Sequence, residues 1–110
     1  MNKLIEDTHY YNNSYEIIND MVSIDRVYCL DLNNFRDNNW DTLGEIYKSL
    51  PSYIIHQGLP YWFGIDENNI YLWASCEPSG LQIAGYLPLK DFFSWENIFN
   101  KAILNLPFIY

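Results

Sequence analysis

Asp66 and Glu77 stand at the ends of two apolar runs, close in the chain to Trp62 and Trp73. Two carboxylates beside aromatic platforms are the parts of a glycosidase, one acid protonating a leaving oxygen while the other attacks or activates water. Both acids also have an ordinary reading. Asp66 opens the polar loop Asp66-Glu67-Asn68-Asn69, and Glu77 precedes a Pro78-Ser79-Gly80 turn.

Other chemistry is less well supported. His9 and His56, the only histidines, lack the His-x-Glu, His-x-x-x-His or cysteine-paired spacings of a metal site. Cys76 with His56 is conceivable as nucleophile and base. Cys76, however, falls on the aliphatic side of its segment, where an apolar setting raises a thiol's pKa and leaves it inert. Ser75 and Ser79 lack the nucleophile elbow, and Gly58, Gly64, Gly80 and Gly85 lack phosphate-loop spacing. The expectation is a protein that is not an enzyme and holds neither metal nor cofactor.

What remains is a set of acids interleaved with large aromatics. Asp25, Asp31, Asp37, Asp41, Asp66, Glu67 and Glu77 lie in loops or near strand edges, among Trp40, Tyr61, Trp62, Tyr71, Trp73 and Tyr86. Trp and Tyr dominate interface hot spots, and acids beside them pair with Arg or Lys of a partner. The expected contact set is Trp62, Asp66, Glu67, Tyr71, Trp73, Glu77 and Tyr86. The competing reading of Trp62 and Trp73 is that they fill a core.

The chain's charge points the same way. Its 110 residues carry six basic and fourteen acidic side chains, a net charge of -8. Phosphate backbones and anionic lipid repel such a chain, whereas a basic protein is drawn to it. No apolar run reaches the length of a membrane span, and the start, MNKLIEDTHYYNN, lacks the apolar region of a signal peptide. A cytoplasmic location is expected, with Cys29 and Cys76 as buried reduced thiols.

The elements that must position these residues follow from periodicity. A length of 110 residues suits a single domain over 1–110, with a core sustained by its apolar content. Residues 1–13 read as an arm or short first helix. Ser14 is placed to cap a helix to about residue 23, with Ile17, Ile18 and Met21 on one side. IDRVYCLDL, from Ile24, alternates as a strand with Ile24, Arg26, Tyr28, Leu30 and Leu32 on one face. NNFRDNN is a loop by composition. Thr42 and Glu45 form a capping-box pair for a helix ended by Pro51.

From residue 53 onward the pattern is mostly β. YIIH is a short strand, and residues 61–87 form a three-stranded antiparallel meander. Ile70, Leu72, Ala74, Cys76, Leu81, Ile83, Gly85 and Leu87 are expected to face inward, while Tyr71, Trp73, Ser75, Glu77, Gln82, Ala84 and Tyr86 face outward. A last helix over about 91–104 buries Trp95, Ile98, Phe99, Ala102 and Ile103. The fold class expected is α+β: a small antiparallel sheet, a meander of about three to four strands, packed by two or three α-helices. Helices on one side only leave Tyr71, Trp73 and Tyr86 on a partly open face.

The stretch GLPYWFGIDENNIYLWASCEPSGLQIAGYLPL, residues 58–89, followed by FFSWENIF, resembles small acidic bacterial immunity proteins of contact-dependent growth inhibition and polymorphic toxin systems. The resemblance covers about a third of the chain and transfers no residue role. It implies a cytoplasmic protein that binds and neutralises a cognate toxin domain, commonly a basic nuclease, by blocking its active site or substrate groove. The alternatives are a carbohydrate- or protein-binding module using the Trp/Tyr face, a homodimer through that face, and a small hydrolase using Asp66 and Glu77.

Overall fold

The computed structural model describes residues 9–65 and 69–109. Asp66, Glu67 and the first eight residues lie outside them, and with them most of the expected arm. The described chain forms strands β1 (Tyr10–Ile18) and β2 (Met21–Tyr28), helix α1 (Asp37–Ser49), strands β3 (Tyr53–His56), β4 (Leu59–Trp62), β5 (Tyr71–Glu77) and β6 (Gly80–Pro88), and helix α2 (Leu89–Ala102). The class is α+β, as expected. The sheet is larger than the expected meander, with six antiparallel strands in the order β1-β2-β6-β5-β4-β3.

The helix expected from Ser14 to about residue 23 is instead a β-hairpin. Ile17, Ile18 and Met21 satisfy a helical spacing, but the same residues flank a two-residue turn. Asn19 and Asp20 occupy that turn with φ of 51° and 64°, the left-handed pair that matches strand twist and that Asn and Asp tolerate best. The β-branched and aromatic residues around it (Tyr15, Ile17, Ile18, Val22, Ile24) favour a pleated ribbon over a helix.

Helix α1 begins more than a turn earlier than the Thr42–Glu45 pair suggested. The Asn39 side chain accepts a hydrogen bond from the Arg36 backbone N–H at 2.8 Å, and the Thr42 hydroxyl donates back to the Asn38 carbonyl within the helix. Asparagine fits the first helical turn, so a loop-like composition hid the start. Helix α2 starts at Leu89, directly after Pro88. Its buried stripe is Phe92, Trp95 and Phe99, continued by Ile103, whereas Ile98 is exposed.

Cross-strand partners share a face, so the register sorts every strand residue. Val22, Ile24, Leu72, Leu81, Ile83, Leu87 and Trp62 join Leu43, Ile46 and Leu50 of α1 and the α2 stripe in one core. Both helices therefore cover the same side. Trp62 stands at its centre, fully buried, with its indole N–H donated to the Tyr47 carbonyl at 3.1 Å and its ring edge-on to Trp95. Gly85 is required where β5 and β6 close up, since a Cβ there would sit 2.2 Å from the Tyr71 carbonyl oxygen.

Candidate functional site

The opposite side of the sheet carries side chains in rows that cross the strands. One row runs Ile54, Tyr61, Trp73, Ala84, Asp25, Ser14; the next runs Tyr71, Tyr86, Ser23, Glu16. Beyond the first row lie Ser75, Gln82, Val27 and Tyr11. The buried residues of both helices belong to the other side of the sheet, so among the described residues no helix covers this face, although Val27 and Tyr61 on it are buried.

Four of the expected contact residues, Tyr71, Trp73, Glu77 and Tyr86, lie on this face. Tyr71 lies directly opposite Tyr86, and Trp73 opposite Ala84 and Tyr61. Ala84, between Trp73 and Asp25 in its row, is small, so the rings of Tyr71, Trp73 and Tyr86 border a low floor. Tyr61 is buried beside His56, Tyr71 and Trp73 are half-buried, and Tyr86 is 42% exposed. Such rings offer apolar area with a polar tip, at little cost in side-chain freedom on binding.

Trp62, expected beside Trp73, points to the helix side and fills the core. It is adjacent to Tyr61 in sequence, and strand alternation sends the neighbours to opposite faces. Asp66 and Glu67 lie outside the described residues.

The acids of the face are Glu16, Asp25 and Glu77. Asp25 Oδ1 accepts hydrogen bonds from Gln82 Nε2 at 2.8 Å and from Asn13 Nδ2 at 3.4 Å. Glu77 accepts one from the Ser75 hydroxyl at 2.5 Å. These partners are neutral donors, so they aim the carboxylates without cancelling their charge. Among the described residues the cations are elsewhere. Arg26 points inward and is paired with Glu96, Arg36 precedes α1, Lys48 is on α1, and Lys90 and Lys101 are on α2. The face is thus acidic and aromatic with no described Lys or Arg on it.

Glu16 was hidden by the helical reading of its segment, although Ser14, Glu16 and Ile18 alternate with Tyr15 and Ile17 as a strand requires. Asp25 sits in a strand that was legible, but its place in the Trp73 row depends on β2 pairing with β6, a long-range register.

Of the Asp66–Glu77 pair only Glu77 lies within the described residues. Glu77 bonds Ser75, and it lines neither the open depression along α1 (Asp41, Thr42, Glu45, Ile46, Ser49) nor the one at the start of α2. Among the described residues no three His, Cys, Asp or Glu side chains are grouped to hold a metal ion. Cys29 is buried, but Cys76, expected to be buried too, is exposed near the end of β5. Partial burial, with Glu77 beside it, still pushes the Cys76 thiol up. No described helix is long and apolar enough to cross a membrane.

No protein-family model, curated protein or solved structure matches the chain.

Proposed function

We propose that the protein is a non-catalytic immunity protein: it neutralises a basic bacterial toxin domain, such as a nuclease, by laying the open face of its sheet over the toxin's active site or substrate groove. The observation that carries this reading is the composition of that face, where Glu16, Asp25 and Glu77 surround Tyr71, Trp73 and Tyr86 with no described cation among them. The acids stand in for the phosphates that a nuclease groove attracts and steer the encounter. The rings supply the desolvated centre on which tight binding depends. The net charge of -8 adds long-range attraction for a basic partner.

The test is affinity capture from the native organism's lysate at about 0.15 M and about 0.5 M salt, conditions that separate screened from buried contacts, followed by assay of the captured protein. The expected result is one stoichiometric basic partner that survives both washes and loses its toxic activity when mixed with this protein. Capture of nothing, or of a partner whose activity is unchanged, rejects the reading. Quenching of Trp73 fluorescence by a sugar would instead assign the aromatic rows to carbohydrate binding.

A further inference from the structure

β1 borders the sheet, and among the described residues no strand pairs with its outer backbone edge. Natural edge strands are blunted most strongly by Lys, by Pro or by shortness, and also by other charges and by bulges, of which β1 has Glu16 and one bulge. β1 runs nine residues, YYNNSYEII, with neither Lys nor Pro. Its one irregularity is a bulge between Asn12 and Ser14, which leaves Ser14–Ile18 regular. Every residue from Asn12 to Asp20 is exposed.

The turn fixes which backbone groups face out. A two-residue turn at Asn19-Asp20 makes Ile18–Met21 a hydrogen-bonded pair, and such pairs alternate along an antiparallel ladder. Glu16–Ser23 and Ser14–Asp25 are then bonded inward, while the N–H and C=O of Tyr15 and Ile17 point away from β2. The side chains of Tyr15 and Ile17 lie on the helix side, yet are 38% and 47% exposed.

Helix α2 runs along β2 and not over β1. The Leu89 N–H donates to the Asp20 carbonyl, Glu96 meets Arg26, and Asn100 accepts from the Tyr28 hydroxyl. Phe93, one turn before Glu96 on the same stripe, is 48% exposed. It lines an open depression of about 420 Å³ with Asp20, Pro88, Leu89 and Lys90. On the helix side of this edge Tyr15 and Ile17 thus leave apolar area exposed, and Phe93 does so near the turn, beside Asp20.

We propose that β1 accepts an extended segment of a basic protein as an added strand. The segment pairs with the backbone of Tyr15 and Ile17, sets a Lys or Arg beside Glu16, and buries apolar side chains against Ile17 and Phe93. Only the basic character of the partner rests on the preceding reading. A second copy of this chain is a poor occupant. The self-pairing that joins Tyr15 to Ile17 of the other copy places Glu16 directly opposite Glu16, a like-charge pair that opposes pairing. A register centred on Tyr15 runs into the bulge and one centred on Ile17 into the turn. Complementary charge instead selects a foreign, cationic strand.

The probe is a synthetic heptapeptide of alternating lysine and valine, capped at both ends, titrated to millimolar concentration into the isotope-labelled protein. At saturation, amide hydrogen exchange at Tyr15 and Ile17 should slow about tenfold or more, the protection expected from backbone hydrogen bonds to the added strand. Alternate backbone amides of the peptide can be N-methylated in two ways. The set that blocks its pairing edge should weaken binding about tenfold or more, and the other set should not. Ile17→Pro removes an N–H that β2 does not use and should weaken the peptide comparably. If that variant fails to fold, the methylated peptides decide alone. Equal binding of both methylated peptides, perturbation confined to Trp73 and Tyr86, or no binding at millimolar peptide overturns the proposal. Because no toxin is involved, such a failure leaves the open-face reading intact, and that reading fails separately if Trp73→Ala does not alter toxin binding.

Discussion

Arg26 and Glu96 meet at 2.5 Å between the second strand and the second helix, with Arg26 only 2% exposed and Glu96 19%. Around the guanidinium, Asn12 accepts from Nε at 2.8 Å and the Tyr28 hydroxyl accepts from Nη1 at 3.2 Å. The Tyr10 ring lies 3.7 Å from it. Tyr28 in turn donates to Asn100 at 2.6 Å. Burial works against the charge, but Tyr28 and Glu96 outweigh it and hold the guanidinium above its usual range. One side chain thereby joins β1, β2 and α2.

Removing one member of this pair leaves a buried charge uncompensated. Glu96→Leu alone should cost about 3 kcal/mol, whereas Arg26→Met with Glu96→Leu should cost less than the sum of the two single changes. Urea unfolding of the three variants measures both. Additive losses would show that the pair is not coupled.

Tyr47 and Tyr28 give the protein an alkaline limit. Burial, reinforced by Cys76 and Tyr53, pushes the Tyr47 hydroxyl well above its ordinary 10.0. Burial also raises Tyr28, against the opposing pull of Arg26. The unfolded chain loses these protons near pH 10.0 while the folded chain keeps them. Their contribution to stability is therefore fully present below that pH and is lost as pH climbs towards the folded values. Each group should add a slope of about 1.4 kcal/mol per pH unit above about pH 10. Tyr47→Phe should flatten the decline, as read from urea midpoints over a series of alkaline pH values.

Gly85 and Gly44 should respond to alanine in opposite directions. At Gly85 the added Cβ meets the Tyr71 carbonyl, so Gly85→Ala should cost about 1–3 kcal/mol or more by forcing β5 and β6 apart. At Gly44, inside α1, a Cβ meets nothing within 4 Å, and Gly44→Ala should gain about 0.5–1 kcal/mol through helix propensity. Thermal melts of both variants provide the comparison.

On the open face, rings and acids should separate kinetically in the proposed toxin complex. Trp73→Ala should raise the dissociation rate about tenfold or more, since it empties the centre of the contact. Asp25→Asn should chiefly slow association and flatten its salt dependence, and Asp66→Asn is expected to act likewise. Surface-binding kinetics at two salt concentrations distinguish the two effects.

The meander around Trp73 and Tyr86 was legible because alternation, the Pro78-Ser79-Gly80 turn and the aliphatic inner face all agree. Trp62 was not assignable: an isolated Trp within YWF fits either face until its partner is known, and pairing with Leu72 sends it inward. The first hairpin was hidden because Asn19-Asp20 lacks the glycine that marks a two-residue turn, and because Ser14 mimics a helix cap. Glu16 and Asp25 enter the site through the pairing of β2 with β6, which no local pattern encodes.

That pairing also sets the order in which the molecule can assemble. β2 lies against β6, Met21 opposite Pro88, so the first hairpin must wait for a strand made much later in the chain. Closing so long a loop costs chain entropy before the buried surface repays it, unlike the other four pairings, which join strands consecutive in the chain. During synthesis Val22, Ile24 and Arg26 have their β1 partners first, and those in β6 and α2 only once these have emerged. Whatever surface the sheet presents is therefore complete only after the last helix has been made.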